Sequence, residues 1–217
     1  MKLECVFWDW NGTLYDDARA SWLAVNDMLT ARKLPLISFE QYKEYVDVPI
    51  IRFYEKVMDV SKESMDCLSE EFHNLCAKYM ADNPLADKAE ELLAFLHNMG
   101  IRQYIFSSSH NKRIKPWLNR LGIDVYFDAV LGADDCFAGS KVERTADFIN
   151  KNLIDPDNIV FIGDLVHDSE VAKQIGSKCI LVSNGHQSKK TLSLTGSMVV
   201  ESLDELLNKF AQEGFLL

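Results

Sequence analysis

Reactive side chains stand at the ends of apolar runs at several points along the chain. Asp9 follows the run at residues 5–8, Ser107 follows residues 104–106, and Asp164 and Asp168 follow residues 159–162, while Lys141 stands just before a helical pattern. Singly, each has an ordinary reading, since strand-end aspartates often cap the next helix and lone lysines are usually solvated. Together they supply three carboxylates, a hydroxyl and a compact cation. Carboxylate oxygens suit a hard cation such as Mg2+, which prefers oxygen ligands and keeps several waters. Asp9 and Asp164 can share that ion, with Asp168 ligating it or orienting its shell. A carboxylate can approach a phosphoryl group only if cations and fixed donors offset the like charges, and Ser107 and Lys141 are residues of that kind.

The elements that must hold these residues follow from the hydrophobic pattern. Apolar runs at residues 6–8, 104–106, 130–131, 159–162 and 180–182 are short and soon followed by glycine or a polar residue, which predicts five buried strands. Residues 198–200 suit an edge strand. Helical spacing lies between them, as in Ala89, Leu92, Leu93 and Leu96 closed by Gly100, and in Val142, Ala146, Ile149 and Leu153. Alternation of strand and helix predicts an α/β fold: a doubly wound, Rossmann-like parallel sheet whose strand ends converge on one edge. Ser202-Leu203-Asp204-Glu205 has the spacing of a capping box and opens a last helix.

Residues 17–82 break the rhythm with helix signals and no convincing strand. Ser38-Phe39-Glu40-Gln41 is a second capping-box pattern, Pro49 suits a helix start, and Met65, Leu68, Phe72, Leu75, Cys76 and Tyr79 form one apolar stripe. The expected organisation is an α/β core from residues 1–16 and 83–217, with a small all-α domain at residues 17–82 inserted by two crossings.

The chain has 217 residues, 47% of them hydrophobic, and a formal net charge of −10. That charge repels a phosphate backbone and an anionic membrane alike, so neither nucleic acid nor membrane is an expected partner. Five cysteines, odd in number and without a C-x-x-C pair, point to a reduced, cytoplasmic protein. The pattern leaves the oligomeric state open. Gly139-Ser140-Lys141 lacks the first glycine of a nucleotide-triphosphate loop and is rejected as one.

Asp9-Trp10-Asn11-Gly12-Thr13, the run into Ser107, Lys141, and Gly163-Asp164 with Asp168 resemble the four motifs of the haloacid dehalogenase superfamily in order and approximate spacing. The resemblance covers nearly the whole chain, and the helical insertion matches the cap that many members carry. It implies a Mg2+-dependent phosphatase of a small phosphorylated metabolite, in the manner of the phosphoglycolate phosphatases. Asp9 would be the nucleophile and form an aspartyl-phosphate that water hydrolyses. The metal set implied is Asp9, the backbone carbonyl of Asn11, Asp164 and Asp168, and the substrate-binding set is Gly12, Thr13, Ser107, Ser108 and Lys141.

Asn11 departs from that pattern. In family phosphatases an acid here protonates the leaving alcohol and later activates water, a contribution of about 10²- to 10⁴-fold for such catalysis. An amide can hydrogen-bond but relays no proton near neutral pH. Three readings stay open: a slow phosphatase, an enzyme for acyl phosphates or others whose leaving group needs no acid, or a regulatory protein that binds a phosphorylated ligand. His110 reads as a helix-start residue or a phosphate contact, His167 as a loop donor, Trp10 as packing of open role, and Asp16 and Asp17 as helix N-caps in preference to metal ligands.

Overall fold

The computed structural model describes residues 3–82, 84–133 and 141–213. Six strands form one parallel sheet: β1 (Cys5–Trp8), β2 (Arg102–His110), β3 (Ala129–Ala133), β4 (Ile159–Gly163), β5 (Lys178–Val182) and β6 (Met198–Val200), in the order β3-β2-β1-β4-β5-β6. Helix α1 (Ala18–Ala31), α2 (Phe39–Tyr45), α3 (Ile51–Val57) and α4 (Met65–Cys76) follow β1, and α5 (Ala89–Asn98) leads into β2. Then come α6 (Asn111–Leu121), α7 (Lys141–Lys151), α8 (Val166–Ile175), α9 (Lys189–Ser193) and α10 (Leu203–Glu213). The strand order reverses between β1 and β4, and ligands of open α/β sheets bind outside the strand ends at such a point.

Successive residues of β1 point to opposite faces, and the burial follows. Val6 and Trp8 join Ile105, Val160 and Ile162 in a core closed by the leucines of α5 and α10. Cys5 and Phe7 join Phe106, Phe161, Ile149 and Val171 on the other face, against α7 and α8. A strand dry on both sides fixes the direction in which Asp9 leaves it. Its N–H donates to the carbonyl of Ile162 at 2.8 Å, which ties the end of β1 to β4.

The predicted strands all form, and Ser38 makes the predicted capping box. At the last helix the Glu205 N–H donates to Ser202 Oγ at 3.2 Å, while the Glu205 carboxylate accepts from the N–H of Glu201 at 2.8 Å. Leu153 is a correction: α7 stops at Lys151, and Leu153 adopts φ +51° and is 92% exposed. Buried Ile154 takes the core position expected of it. The α4 stripe also needs correcting, because Leu68 is buried whereas Met65 and Tyr79 are exposed.

Helices α1 to α4 gather Val25, Met28, Leu29, Tyr42, Phe53, Tyr54 and Leu68 into an apolar cluster separate from the sheet's two. The chain leaves and rejoins the sheet region side by side. Asp16 N–H donates to Pro84 O at 2.7 Å and Ala86 N–H to Leu14 O at 2.9 Å, around an antiparallel Tyr15–Leu85 bridge. Among the described residues, no helix is long and apolar enough to cross a membrane.

Candidate active site

Asp9, Asp164 and Asp168 are buried, and each offers an oxygen within 4.8 Å of the others. Lys141, the first residue of α7, reaches between two of them: its Nζ donates to Asp9 Oδ1 and to Asp168 Oδ1, both at 2.6 Å. The same ammonium lies 3.9 Å from the centroid of the Phe106 ring. Asp168 Oδ2 accepts the N–H groups of Asp164 and Leu165 at 3.1 and 3.0 Å, so both its oxygens are engaged. Asp164 Oδ1 accepts from Thr13 Oγ1 at 3.2 Å and Oδ2 from the His186 N–H at 2.6 Å. Asp9 Oδ2 has no hydrogen bond among the described residues.

Two glycines are required by this crowding. Gly12 has φ +74°, and a Cβ there would lie 2.2 Å from Asp164 Oδ2. A Cβ on Gly163 would lie 2.1 Å from Asp168 Oδ2. Side chains at either position would displace a carboxylate.

Burial pushes the Asp9 carboxyl above its ordinary range; Lys141 pulls it back, and Asp168 and Asp164 add to the rise. Asp164 is likewise raised by burial, with His186 opposing. Burial alone would lower Lys141, but Asp168 and Asp9 outweigh it and hold the ammonium charged. Lys141 faces three buried carboxyl groups, whose oxygens outnumber its N–H donors. An all-oxygen donor set of this kind fits a hard divalent cation.

Asn11 is held by two partners. Its Nδ2 donates to Asp17 Oδ2 at 2.7 Å, and its Oδ1 accepts from Ser109 Oγ at 2.6 Å. Asp17 does not cap α1, which corrects the expectation from sequence: its side chain makes no capping bond there. Its Oδ1 accepts the Gly12 N–H at 2.9 Å and faces His186 Nε2 at 3.1 Å. Asp16 is exposed and makes no capping bond either. The loop after β5 thus brings His186 over the carboxylates, where burial lowers its pKa but Asp17 and Asp164 overcome that and raise it to about 9. With both ring nitrogens protonated, Nδ1 donates to the Tyr42 hydroxyl at 2.8 Å. Three further bonds join α2 and its following loop to the same region: Lys43 Nζ to Ser183 O at 2.7 Å, Gln187 Nε2 to Val46 O at 2.8 Å, and Ser188 N to Lys43 O at 3.3 Å.

The predicted site residues therefore divide. Asp9, Lys141, Asp164 and Asp168 come together directly, with Gly12 and Thr13 packed on Asp164. Ser107 is buried and its Oγ accepts the Ser109 N–H at 3.1 Å. Ser108 points outward, and Ser109 is the serine that meets Asn11. His110 Nδ1 accepts the Lys112 N–H at 3.2 Å, the helix-start arrangement, and His167 lies 3.4 Å from Glu170 on the surface of α8. Trp10 stacks on Tyr15 with ring centroids 5.1 Å apart. Gly139 and Ser140 fall outside the described residues. The residues missed from sequence are Asp17 as a buried partner, Ser109, Tyr42 and His186. The strand-end rule that selected Ser107 applies equally to β5 and its successors 183–187, and would have found His186.

The model of the "Haloacid dehalogenase-like hydrolase" family matches residues 6–182. The chain belongs to that family. It is 26% identical over 221 residues to a phosphoglycolate phosphatase of Vibrio parahaemolyticus, covering 96% of each. It is equally 26% identical, over 207 residues, to the tyrosine-protein kinase PtkA of Mycobacterium tuberculosis, covering 94% of this chain and 71% of that one. A haloacid dehalogenase-like family hydrolase from Streptococcus pneumoniae superposes with a TM-score of 0.78 at 17% identity, over 96% of this chain and 98% of that one. The last likeness is one of fold.

Proposed function

We propose that the protein is a Mg2+-dependent phosphatase of small phosphorylated metabolites, working through an aspartyl-phosphate on Asp9. The observation that carries this reading is the asymmetry of Asp9: Lys141 holds Oδ1 at 2.6 Å, while Oδ2 is unengaged among the described residues and is available to attack phosphorus. The phosphoglycolate phosphatases among the relatives support the reaction class. The kinase of equal identity shows why similarity alone does not choose the substrate.

The metal would be held by Asp9, the Asn11 carbonyl and Asp164. Asp168 acts as an orienting group, because its oxygens accept three hydrogen bonds, from Lys141 and two backbone N–H groups, against two at Asp164. Bound there, Mg2+ would offset the like charges of carboxylate and phosphoryl group. Lys141 fixes Asp9 and offers its charge to phosphoryl oxygens, with Ser107 nearby as a donor. Asp9 Oδ2 forms the bond to phosphorus as the bond to the leaving oxygen breaks. Water then attacks the aspartyl-phosphate, phosphate leaves and Asp9 is restored.

Asn11 gives no proton to the leaving oxygen, so esters of acidic alcohols and acyl phosphates react best. Residues 17–82 serve as a cap over the strand ends, seated through Tyr42, Lys43 and Val46, and exclude water when closed. A cytoplasmic setting suits the free Cys5, Cys67, Cys76 and Cys179. The test is phosphate release from 4-nitrophenyl phosphate and acetyl phosphate with and without Mg2+. Activity that needs the metal and disappears in Asp9→Asn supports the proposal; metal-independent release, or release retained in Asp9→Asn, refutes it.

A further inference from the structure

A cleft of about 620 Å³ opens between α4 and α6 beside the two crossings, a volume suited to a small organic ligand. Asn11 and Ser109 line it, so it runs up to the loops that follow Asp9 and Ser107. Its walls differ in chemistry. Tyr15 and Trp117, ring centroids 5.4 Å apart, meet Phe72 and Met80 across an apolar, largely aromatic space. Lys112, Arg113 and Arg120 add cations from α6.

Those cations are unusual in this chain. The chain carries a net charge of −10, yet α6 holds Lys112, Arg113, Lys115 and Arg120 and no acid. Lys112 and Arg113 lie in its first turn, where the helix dipole is positive and disfavours cations. Among the described residues neither side chain has an ion pair or hydrogen bond. The Arg120 guanidinium lies 4.8 Å from the Trp117 ring centroid. Of the acids in the lining, Asp17 is already engaged by Asn11, Gly12 and His186, which leaves Asp82. Lys112 and Arg113 are thus exposed at the cleft, set against the helix dipole and unpaired among the described residues, and so are free to receive an anion from outside the chain.

Asn11 supplies the third constraint. With an amide in place of the acid, the leaving oxygen must depart as an anion, which a phenol with a pKa of about 10 tolerates far better than an aliphatic alcohol. We propose that the substrate is an aryl phosphate whose ring bears a second anionic group, the ring lying in the aromatic cleft and the anion at Lys112 and Arg113. This rests on the phosphatase reading above.

The experiment compares kcat/KM for 3-carboxyphenyl phosphate, phenyl phosphate and 2-phosphoglycolate in the native protein, Lys112→Gln/Arg113→Gln and Lys115→Gln. Lys115 shares the helix but does not line the cleft. The native protein is expected to prefer the carboxyphenyl ester over phenyl phosphate by about tenfold, the scale of one charge-assisted contact. The double variant brings that ratio near one, and Lys115→Gln keeps it; a ratio read within each protein cancels any general loss. A native ratio near one, an equal fall in Lys115→Gln, or faster turnover of 2-phosphoglycolate than of both aryl esters overturns the proposal. Turnover of acetyl phosphate but of no ester also overturns it; if neither acetyl phosphate nor any ester is turned over, the phosphatase reading fails, and calorimetric binding of the same two aryl esters decides the cleft: tighter binding of the carboxyphenyl ester upholds its assignment, equal binding overturns it.

Discussion

Replacing Asp17 by asparagine removes the charge facing His186 while keeping the side chain's size; it also weakens the bonds Asp17 accepts from Asn11 Nδ2 and the Gly12 N–H, a loss that does not follow the His186 titration, so the pH dependence is what reads the His186 contact. His186 is raised from 6.5 to about 9, burial opposing and Asp17 leading the rise. A folded-state pKa above the unfolded one stabilises the protein fully below pH 6.5, and that stability is lost as pH rises through about 9. The difference corresponds to roughly 3 kcal/mol. For a chain of this size, roughly 2 to 4 °C per kcal/mol gives a fall in Tm of about 6 to 12 °C across the window. Thermal unfolding of the metal-free protein from pH 6 to pH 10 reads it. The raised Asp9 and Asp164 contribute their own slope, so the informative quantity is the native curve minus the Asp17→Asn curve. That difference should be largest near pH 6 and shrink toward pH 9.5. Parallel curves would refute the ion pair and the raised His186 with it.

Asn11→Asp would place a second carboxylate 2.7 Å from Asp17 Oδ2. One of the two must then hold a proton or repel the other, so Asn11→Asp should unfold at lower temperature as pH rises from 6 to 9, and near pH 9.5, where the His186–Asp17 pair no longer contributes, Asn11→Asp/Asp17→Asn should recover most of the loss by calorimetry. If the acid at position 11 is what limits turnover, the double variant should gain more on alkyl than on aryl phosphates in steady-state kinetics. Lys141→Met leaves Asp9 and Asp168 buried without their cation, a change on the order of 3 to 5 kcal/mol by denaturant titration. Tyr42→Phe removes one hydrogen bond to His186 and should cost about 1 kcal/mol in the same assay. Mg2+ should raise the Tm of the native protein and have a much smaller effect on Asp164→Asn, since that variant loses a ligand charge.

The sheet was legible because each buried strand is a short apolar run ended by a polar residue, and burial on both faces leaves such a run no other use. Asp9, Lys141, Asp164 and Asp168 were legible as reactive types at strand ends or a helix start, where topology alone brings them to one edge. The site's upper half was not. Asp17 and Tyr42 come from neighbouring parts of the helical insertion, His186 lies 144 residues beyond Tyr42, and none stands in a periodic pattern. Asp17 has the local setting of a helix cap, and only the return of the β5 loop gives its carboxylate a stronger partner. Leu153 fails differently: it keeps helical spacing, but α7 ends at Lys151 and the chain turns outward.

The central claim is that Asp9 accepts a phosphoryl group. Rapid acid quench after mixing with Mg2+ and acetyl phosphate, followed by peptide mass spectrometry, tests it directly. The account predicts one added phosphoryl group on the peptide carrying Asp9, dependent on Mg2+ and absent in Asp9→Asn. Steady hydrolysis with no such adduct at any quench time, or an adduct on another residue that survives in Asp9→Asn, would contradict it.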